Sequence, residues 1–226
     1  MTKRPNLLAG EDLPPEPVQK RSLEKRARLK TAALCLFAEK GYEATSIEDM
    51  AERAQVAIGS CYQHYRSKRQ LLLALMDELL EKLSRLDLQP SGSGFPTRPV
   101  SAWRGEGPKD VRAGLRAMLA RAFSHDLSYL GAYRAWQEAA LSDPGLARKQ
   151  RQMHAWTTGR VEAVFKFLHQ MPGARPGVDV SALAHVMDHF FWSLLAQAAG
   201  MKEAELNQWI DSSTHLIYHA LFKDPG

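Results

Sequence analysis

Apolar residues recur at helical spacing along nearly the whole chain of 226 residues, and they never alternate as in a half-buried strand. Leu29, Ala33, Leu36 and Phe37 fall on one face at i, i+4, i+7 and i+8, which predicts a helix from about Ser22 to Lys40 with Gly41 as its stop. Three short elements follow. Thr45-Ser46-Ile47-Glu48 reads as a capping box in which the Thr45 hydroxyl accepts from the Glu48 N–H; Ile47, Met50, Ala51 and Ala54 form the apolar face behind it. A break near Gln55-Val56-Ala57 precedes a compact helix from about Ile58 to Tyr65. Ser67-Lys68-Arg69-Gln70 is a second capping box, opening a helix striped by Leu71, Leu72, Leu75, Leu79 and Leu83.

The character changes twice. Residues 1–20, with Pro5, Pro14, Pro15 and Pro17 and few large apolar side chains, predict a flexible arm. Between residues 89 and 108, Pro90, Gly92, Gly94, Pro96, Pro99, Gly105, Gly107 and Pro108 predict a long loop, with Phe95 and Trp103 placed to cover a pocket. Beyond it the helical period returns. Val111, Leu115, Met118, Leu119, Ala122 and Phe123 make one stripe, and Leu127, Leu130, Tyr133, Trp136 and Ala140 another. Asp143-Pro144 and Asp179 are helix starts, and a last helix is expected from about Lys202 to Phe222. The expected fold class is all-α, with about nine helices.

Charge then separates the two ends. Residues 1–69 hold 13 Lys and Arg against 9 Asp and Glu, so +4 of the total +5 lies in the first third. It is densest at Lys20, Arg21, Lys25, Arg26, Arg28 and Lys30, a cluster suited to phosphate. Three short helices on a basic domain suggest a helix-turn-helix that reads duplex DNA. Gly59 allows close backbone approach, Ser60 and Gln63 carry donors and acceptors for base edges, and Tyr62, His64 and Lys68 are in reach of phosphates. Lys68 also lies at a helix start, where free N–H groups attract an anion.

These residues resemble the TetR family of transcriptional regulators. The resemblance is carried by Ala32-Ala33, Leu36-Phe37-Ala38-Glu39-Lys40-Gly41-Tyr42, Ala44-Thr45-Ser46-Ile47, Ala51-Glu52-Arg53-Ala54, Gly59-Ser60-Cys61-Tyr62-Gln63-His64-Tyr65, Ser67-Lys68 and Leu71-Leu72. It covers about residues 25–75. It implies a helix-turn-helix domain over 21–68 and a helical ligand-binding and dimerisation domain over 69–226. It also implies a homodimer, phosphate contacts from Thr45, Tyr62 and Lys68, and base readout around Ser60 and Gln63. Three positions depart from the family pattern: Gln55 stands where a turn glycine is usual, Ala57 where a capping Ser or Thr is usual, and Cys61 where a larger apolar residue is usual.

Other chemistry was weighed. Cys35 and Cys61 form no disulfide framework, and no apolar run spans a membrane, so a cytoplasmic protein is expected. His185 and His189, like His215 and His219, share a helical face; they are read as core or interface histidines, with a shared metal as the alternative. Ser124-His125-Asp126 are consecutive, hence about 100° apart on a helix, and cannot form a catalytic relay. Oxidation of Cys61 is a conceivable switch, set against its reading as a small buried hydrophobe. Met118, Phe123, Tyr133, Trp136, Met153, Trp156 and Trp192, together with Tyr129 and Phe165, are the candidate walls of an apolar pocket. The last two helices look apolar on more than one face. Leu183, Val186, Met187, Phe190, Phe191, Leu194 and Leu195 lie on the first, and Leu206, Trp209, Ile210, Leu216, Ile217, Ala220 and Leu221 on the second, which suits a two-fold interface.

The expectation is a dimeric repressor, not an enzyme and without cofactor, released from a pseudo-palindromic operator by a small apolar effector. The rival is a helical small-molecule binding protein whose head no longer binds DNA, supported by Gln55 and Ala57.

Overall fold

The computed structural model describes residues 3–85, 108–126, 129–198 and 201–223. Among them are nine helices: α1 (Lys20–Lys40), α2 (Ile47–Ala54), α3 (Ile58–His64), α4 (Lys68–Arg85), α5 (Pro108–Asp126), α6 (Leu130–Ser142), α7 (Pro144–Leu168), α8 (Val180–Gln197) and α9 (Glu203–Leu221). The expected loop at 89–108, with Phe95 and Trp103, lies outside the described residues apart from Pro108, the first residue of α5. The chain divides into two compact units: Pro5–Glu81 with Leu127–Gln152, and Met1–Arg4 with Lys82–Asp126 and Met153–Gly226. The first unit therefore takes in α6 and the start of α7, whereas the sequence suggested a boundary after residue 68.

In the first unit, α1 buries the stripe its spacing announced, with Leu29, Ala32, Ala33, Leu36 and Phe37 inside. Each fully buried Leu or Phe contributes roughly 1.5–3 kcal/mol of transfer free energy. α4 is apolar around most of its circumference, with Leu71, Leu72, Leu73, Leu75 and Met76 all at 1% exposure or less. α6 packs on α1. Gly131 lies against α1, and Ala132, Ala135 and Ala139 of α6 are buried with it. A β-carbon on Gly131 would sit 2.0 Å from the Leu34 carbonyl oxygen and 2.9 Å from the Ala38 nitrogen. The absence of a side chain at that one position sets how closely these two helices approach. Asp143 caps α7 as expected, its Oδ1 accepting from the N–H groups of Gly145 (2.7 Å) and Leu146 (3.0 Å), while its Oδ2 takes Arg69 Nε at 2.6 Å.

The segment expected to be a flexible arm is tied down within this unit. Leu7 is fully buried, its N–H donates to Asp77 Oδ1 (2.8 Å), and Lys149 Nζ donates to the carbonyls of Leu7 (2.6 Å) and Ala9 (2.9 Å). Glu11 pairs with Arg69 at 2.6 Å, and Asp12 pairs with Arg66. The prolines are what misled the prediction. They exclude regular structure, but one apolar anchor and a few backbone bonds suffice to dock a segment that has none.

In the second unit, α5 packs against α9. Val111, Leu115, Met118 and Leu119 of α5 are buried, as are Ile210, Ile217 and Leu221 of α9, and Arg116 Nε donates to Asp211 at 2.5 Å. Asp179 caps α8 by accepting from the Ala182 N–H. The C-terminal segment meets the α7–α8 connection, where the Arg175 N–H donates to the Leu221 carbonyl (2.8 Å) and Lys223 to that of Gly173 (3.1 Å). Ser124, His125 and Asp126 occupy consecutive positions near the end of α5. No helix among the described residues is long and apolar enough to cross a membrane.

Candidate nucleic-acid interface and ligand cavity

The helix-turn-helix is built by a cap, a left-handed turn and an uncapped second helix. The cap is one residue later than expected. Ser46, not Thr45, is the N-cap of α2: its hydroxyl accepts from the Asp49 N–H (3.0 Å) and Asp49 Oδ2 accepts from the Ser46 N–H (2.8 Å). The physical reason is that the Thr45 hydroxyl is already used, donating to the Gly41 carbonyl at 2.6 Å inside the α1–α2 corner. The second box is also shifted. Ser67 Oγ accepts from the Gln70 N–H (3.2 Å), but the Gln70 side chain accepts from the Arg66 N–H (2.9 Å) instead of from Ser67. Gln55 stands at φ 53, ψ 48, the left-handed conformation that a side chain of this kind enters at a cost of about 1–2 kcal/mol. Ala57 makes no side-chain cap, so α3 starts with its first N–H groups unpaired by any side chain at that position.

Two ion pairs fasten α2 to α1. Arg53 holds Glu39 through both guanidinium nitrogens at 2.5 and 2.7 Å, and Lys40 Nζ meets Asp49 Oδ2 at 2.6 Å. The hydrogen bond from Lys40, joined by the Ser46 N–H and hydroxyl, holds the Asp49 carboxyl at about 2. A carboxyl depressed on folding stabilises the fold above its ordinary value near 4 and stops doing so as the pH falls through the folded value. The melting temperature of Asp49→Asn should therefore lie below that of the unaltered protein at pH 7, and the gap should close as the pH drops from about 4 towards about 2. A gap of constant size across that range would contradict this assignment.

The six candidate DNA-binding residues divide sharply. Tyr62 is 46% exposed, Gln63 is exposed and Ser60 half-buried, all on α3, with Gly59 open beside them. Thr45 and His64 instead turn inward, at 1% and 6% exposure. Thr45 caps the corner as described. Burial, reinforced by Arg26 and Lys25, pushes the His64 imidazole below its usual range, so it is neutral at pH 7 and is no cation for phosphate. Lys68 is also engaged. Its Nζ donates to the carbonyls of Tyr42 (2.8 Å) and Glu43 (3.2 Å) and lies 4.3 Å from the centre of the Tyr42 ring. The amides of those same two residues donate to Glu138 of α6 at 2.7 and 3.1 Å. Sequence reasoning missed Glu138, since nothing in its local pattern marks a carboxylate whose partners lie some 95 positions away. Lys20, Arg21, Lys25 and Arg28 of α1 are exposed, while Arg26 is held by Tyr65 and Glu16, and Lys30 by Glu78. Cys61 is buried, and burial pushes its thiol up, away from the reactive thiolate that an oxidation switch needs.

A cavity lies wholly within the second unit. It holds about 830 Å³ of space between atoms, its open mouth included. Of the candidate walls, Met118, Phe123, Trp156, Phe165 and Trp192 line it. Tyr133, Trp136 and Met153 do not. Tyr133 and Trp136 are buried on α6 in the other unit, and Met153 is buried outside the cavity wall. The wall residues that were missed include Phe191 and three polar ones, Thr157, Arg160 and Asp188.

Among the described residues, no three His, Cys, Asp or Glu side chains are grouped to hold a metal. The rings of His185 and His189 stand 6.2 Å apart and those of His215 and His219 4.1 Å apart. Val186 of α8 (65% exposed) and Leu216 of α9 (54%) are the large apolar side chains left open on these helices.

Residues 29–75 match the family described as bacterial regulatory proteins, tetR family. Over 63 residues the chain is 46% identical to the HTH-type transcriptional repressor Rv3405c of Mycobacterium tuberculosis, covering 28% of this chain and 34% of that protein. The chain thus spans about a third of the length of the curated relatives it matches. Among solved structures, the ketosteroid transcriptional regulator KstR2 of Mycobacterium tuberculosis aligns with a TM-score of 0.64 at 18% identity, over 94% of this chain and 100% of that one. A complex of SmeT with triclosan aligns with a TM-score of 0.60 at 20% identity, over 88% and 92%. These two likenesses speak to the fold. The matched segment, with its capped α2, left-handed turn and α3, is a helix-turn-helix of the kind found in the tetR family of bacterial regulatory proteins, and the chain shares the fold of these solved structures.

Proposed function

We propose that the protein is a DNA-binding transcriptional repressor that acts as a homodimer in the cytoplasm. A small apolar effector releases it from a pseudo-palindromic operator, and we assign it no catalysis. The observation that carries the reading is the edge of α3, where Gly59, Tyr62 and Gln63 are exposed and Ser60 half-buried, in the same unit as the exposed Lys20, Arg21, Lys25 and Arg28 of α1. Ser60 and Gln63 supply base-edge chemistry, while Tyr62, Lys20, Arg21, Lys25 and Arg28 supply phosphate contacts. Lys68 supports this head by holding the α1–α2 loop, and contributes little to phosphate binding directly. Val186 and Leu216 mark the face that a second copy would cover, putting two heads on successive major grooves about 34 Å apart. The cavity supports an apolar effector, in keeping with neighbours described by a ketosteroid and by bound triclosan. Such a ligand releases DNA only by the difference between its affinities for the DNA-competent and incompetent forms.

The test is fluorescence anisotropy with DNA from upstream of the protein's own gene, titrated from 50 to 200 mM salt. Log affinity should fall linearly with log salt, with a slope of about −0.9 for each phosphate contacted. The rival reading, a binding protein with a silent head, is favoured by the inward turn of Thr45 and His64. It would be established by the absence of any anisotropy change at the lowest salt.

A further inference from the structure

We infer that the cavity of the second unit selects a flat, largely apolar molecule carrying one uncharged hydrogen-bond donor, a phenol or an alcohol, which Asp188 receives. This rests on reading the cavity as the effector site.

The walls set the body of the ligand. Phe123 and Phe191 meet edge to face with ring centres 5.8 Å apart, and Trp156, Phe165 and Trp192 add three more aromatic surfaces. Such walls favour a planar apolar occupant. The polar groups on the wall set the rest, because most of their capacity is already used. The Trp192 indole N–H, its sole donor, goes to Thr157 Oγ1 at 3.3 Å, and the Thr157 hydroxyl donates to the His154 carbonyl at 3.1 Å.

Asp188 is the exception. It is 3% exposed, and its contacts all fall on one oxygen: Oδ2 accepts from the Thr158 hydroxyl at 2.9 Å and lies 3.4 Å from His154 Nδ1. Oδ1 has no hydrogen-bond partner among the described residues, yet Asp188 is part of the cavity wall. A carboxylate has about four acceptor sites, and leaving them unmet beside an apolar space is unfavourable. An occupant that donates to Oδ1 removes that cost. One that presents only an acceptor places lone pair against lone pair.

Charge decides between donors. Arg160 brings its guanidinium to the same wall, 4.9 Å from the centre of the Trp156 ring. A cationic donor would meet this positive charge as well as Asp188, whereas a hydroxyl gains the charge-assisted bond without the repulsion.

The experiment is isothermal titration calorimetry on the full chain without DNA, using 2-naphthol, 2-methoxynaphthalene and 2-naphthylmethylammonium at pH 7. The expected result is that 2-naphthol binds at least tenfold more tightly than either of the others. Asp188→Leu should erase that preference, weakening 2-naphthol and relieving the repulsion that 2-methoxynaphthalene meets. If Asp188→Leu does not fold, the ratios on the unaltered protein decide. Affinities for the three within threefold of one another, tightest binding by the ammonium compound, or no heat from any of them would overturn the inference. A preference for 2-naphthol without any release of operator DNA would leave the cavity assignment standing and instead remove the effector reading on which it rests.

Discussion

Gly131→Ala should destabilise the protein by about 3 kcal/mol, the upper end of what forced overpacking costs. The sign is what makes the experiment informative. In an ordinary helix interior, replacing Gly by Ala stabilises by roughly 0.5–1 kcal/mol, because alanine restricts the unfolded chain and favours the helix. Here the new methyl would lie 2.0 Å from a backbone oxygen of α1, and a backbone cannot swing aside as a side-chain tip can. α1 and α6 would have to part. The buried Ala132, Ala135 and Ala139 on α6, and Leu29 to Phe37 on α1, would lose packing with them. Urea unfolding of the two proteins measures the difference. A midpoint that rises, or stays put, would mean that the α1–α6 contact is loose and that α6 does not hold the head as described.

Gln63→Ala should weaken binding to the operator by roughly 5- to 150-fold, corresponding to about 1–3 kcal/mol, and leave binding to random duplex nearly unchanged. Gln63 is exposed on the open edge of α3, and a carboxamide can both donate and accept at an adenine edge, which a methyl cannot. Phosphate contacts, by contrast, serve every sequence alike. Anisotropy on the two duplexes at one salt concentration separates the roles. Equal losses on both would reassign Gln63 to the phosphate backbone and move base readout to Ser60 and Tyr62.

These predictions draw unequally on sequence and structure. The pattern of apolar positions announced α1 and the short α2 and α3, because each buries one face whose members lie within two turns of one another. Gln55 stood out only against the family pattern, where a turn glycine is usual, and the structure puts it in the left-handed conformation. The candidate interface was legible to the extent that exposure follows from position on a short helix: Tyr62 and Gln63 are exposed on α3 and Ser60 is half-buried there. It failed where a polar side chain had a backbone partner around a corner. Thr45, His64 and Lys68 all look, in sequence, like groups waiting for a phosphate. In the fold, Thr45 and Lys68 meet carbonyls of the α1–α2 corner and His64 is buried beside Arg26 and Lys25.

The cavity shows the same limit from the other side. Nine aromatic and methionine residues were equally plausible as walls, since apolar character is common to core and pocket alike. Five line the space, while Tyr133 and Trp136 are core to the other unit. Asp188 was invisible because a carboxylate on a helix reads as a solvated face until its surroundings are known. The sequence by itself determined an all-helical chain and a basic first third, which follow from local periodicity and composition, while its motifs at about residues 25–75 carried the resemblance to the tetR family. Only the tertiary structure decided which polar groups are already engaged, that Leu7 docks the arm, and that one buried carboxylate faces an apolar space. Those outcomes depend on partners far away in the chain, and long-range proximity leaves no local trace.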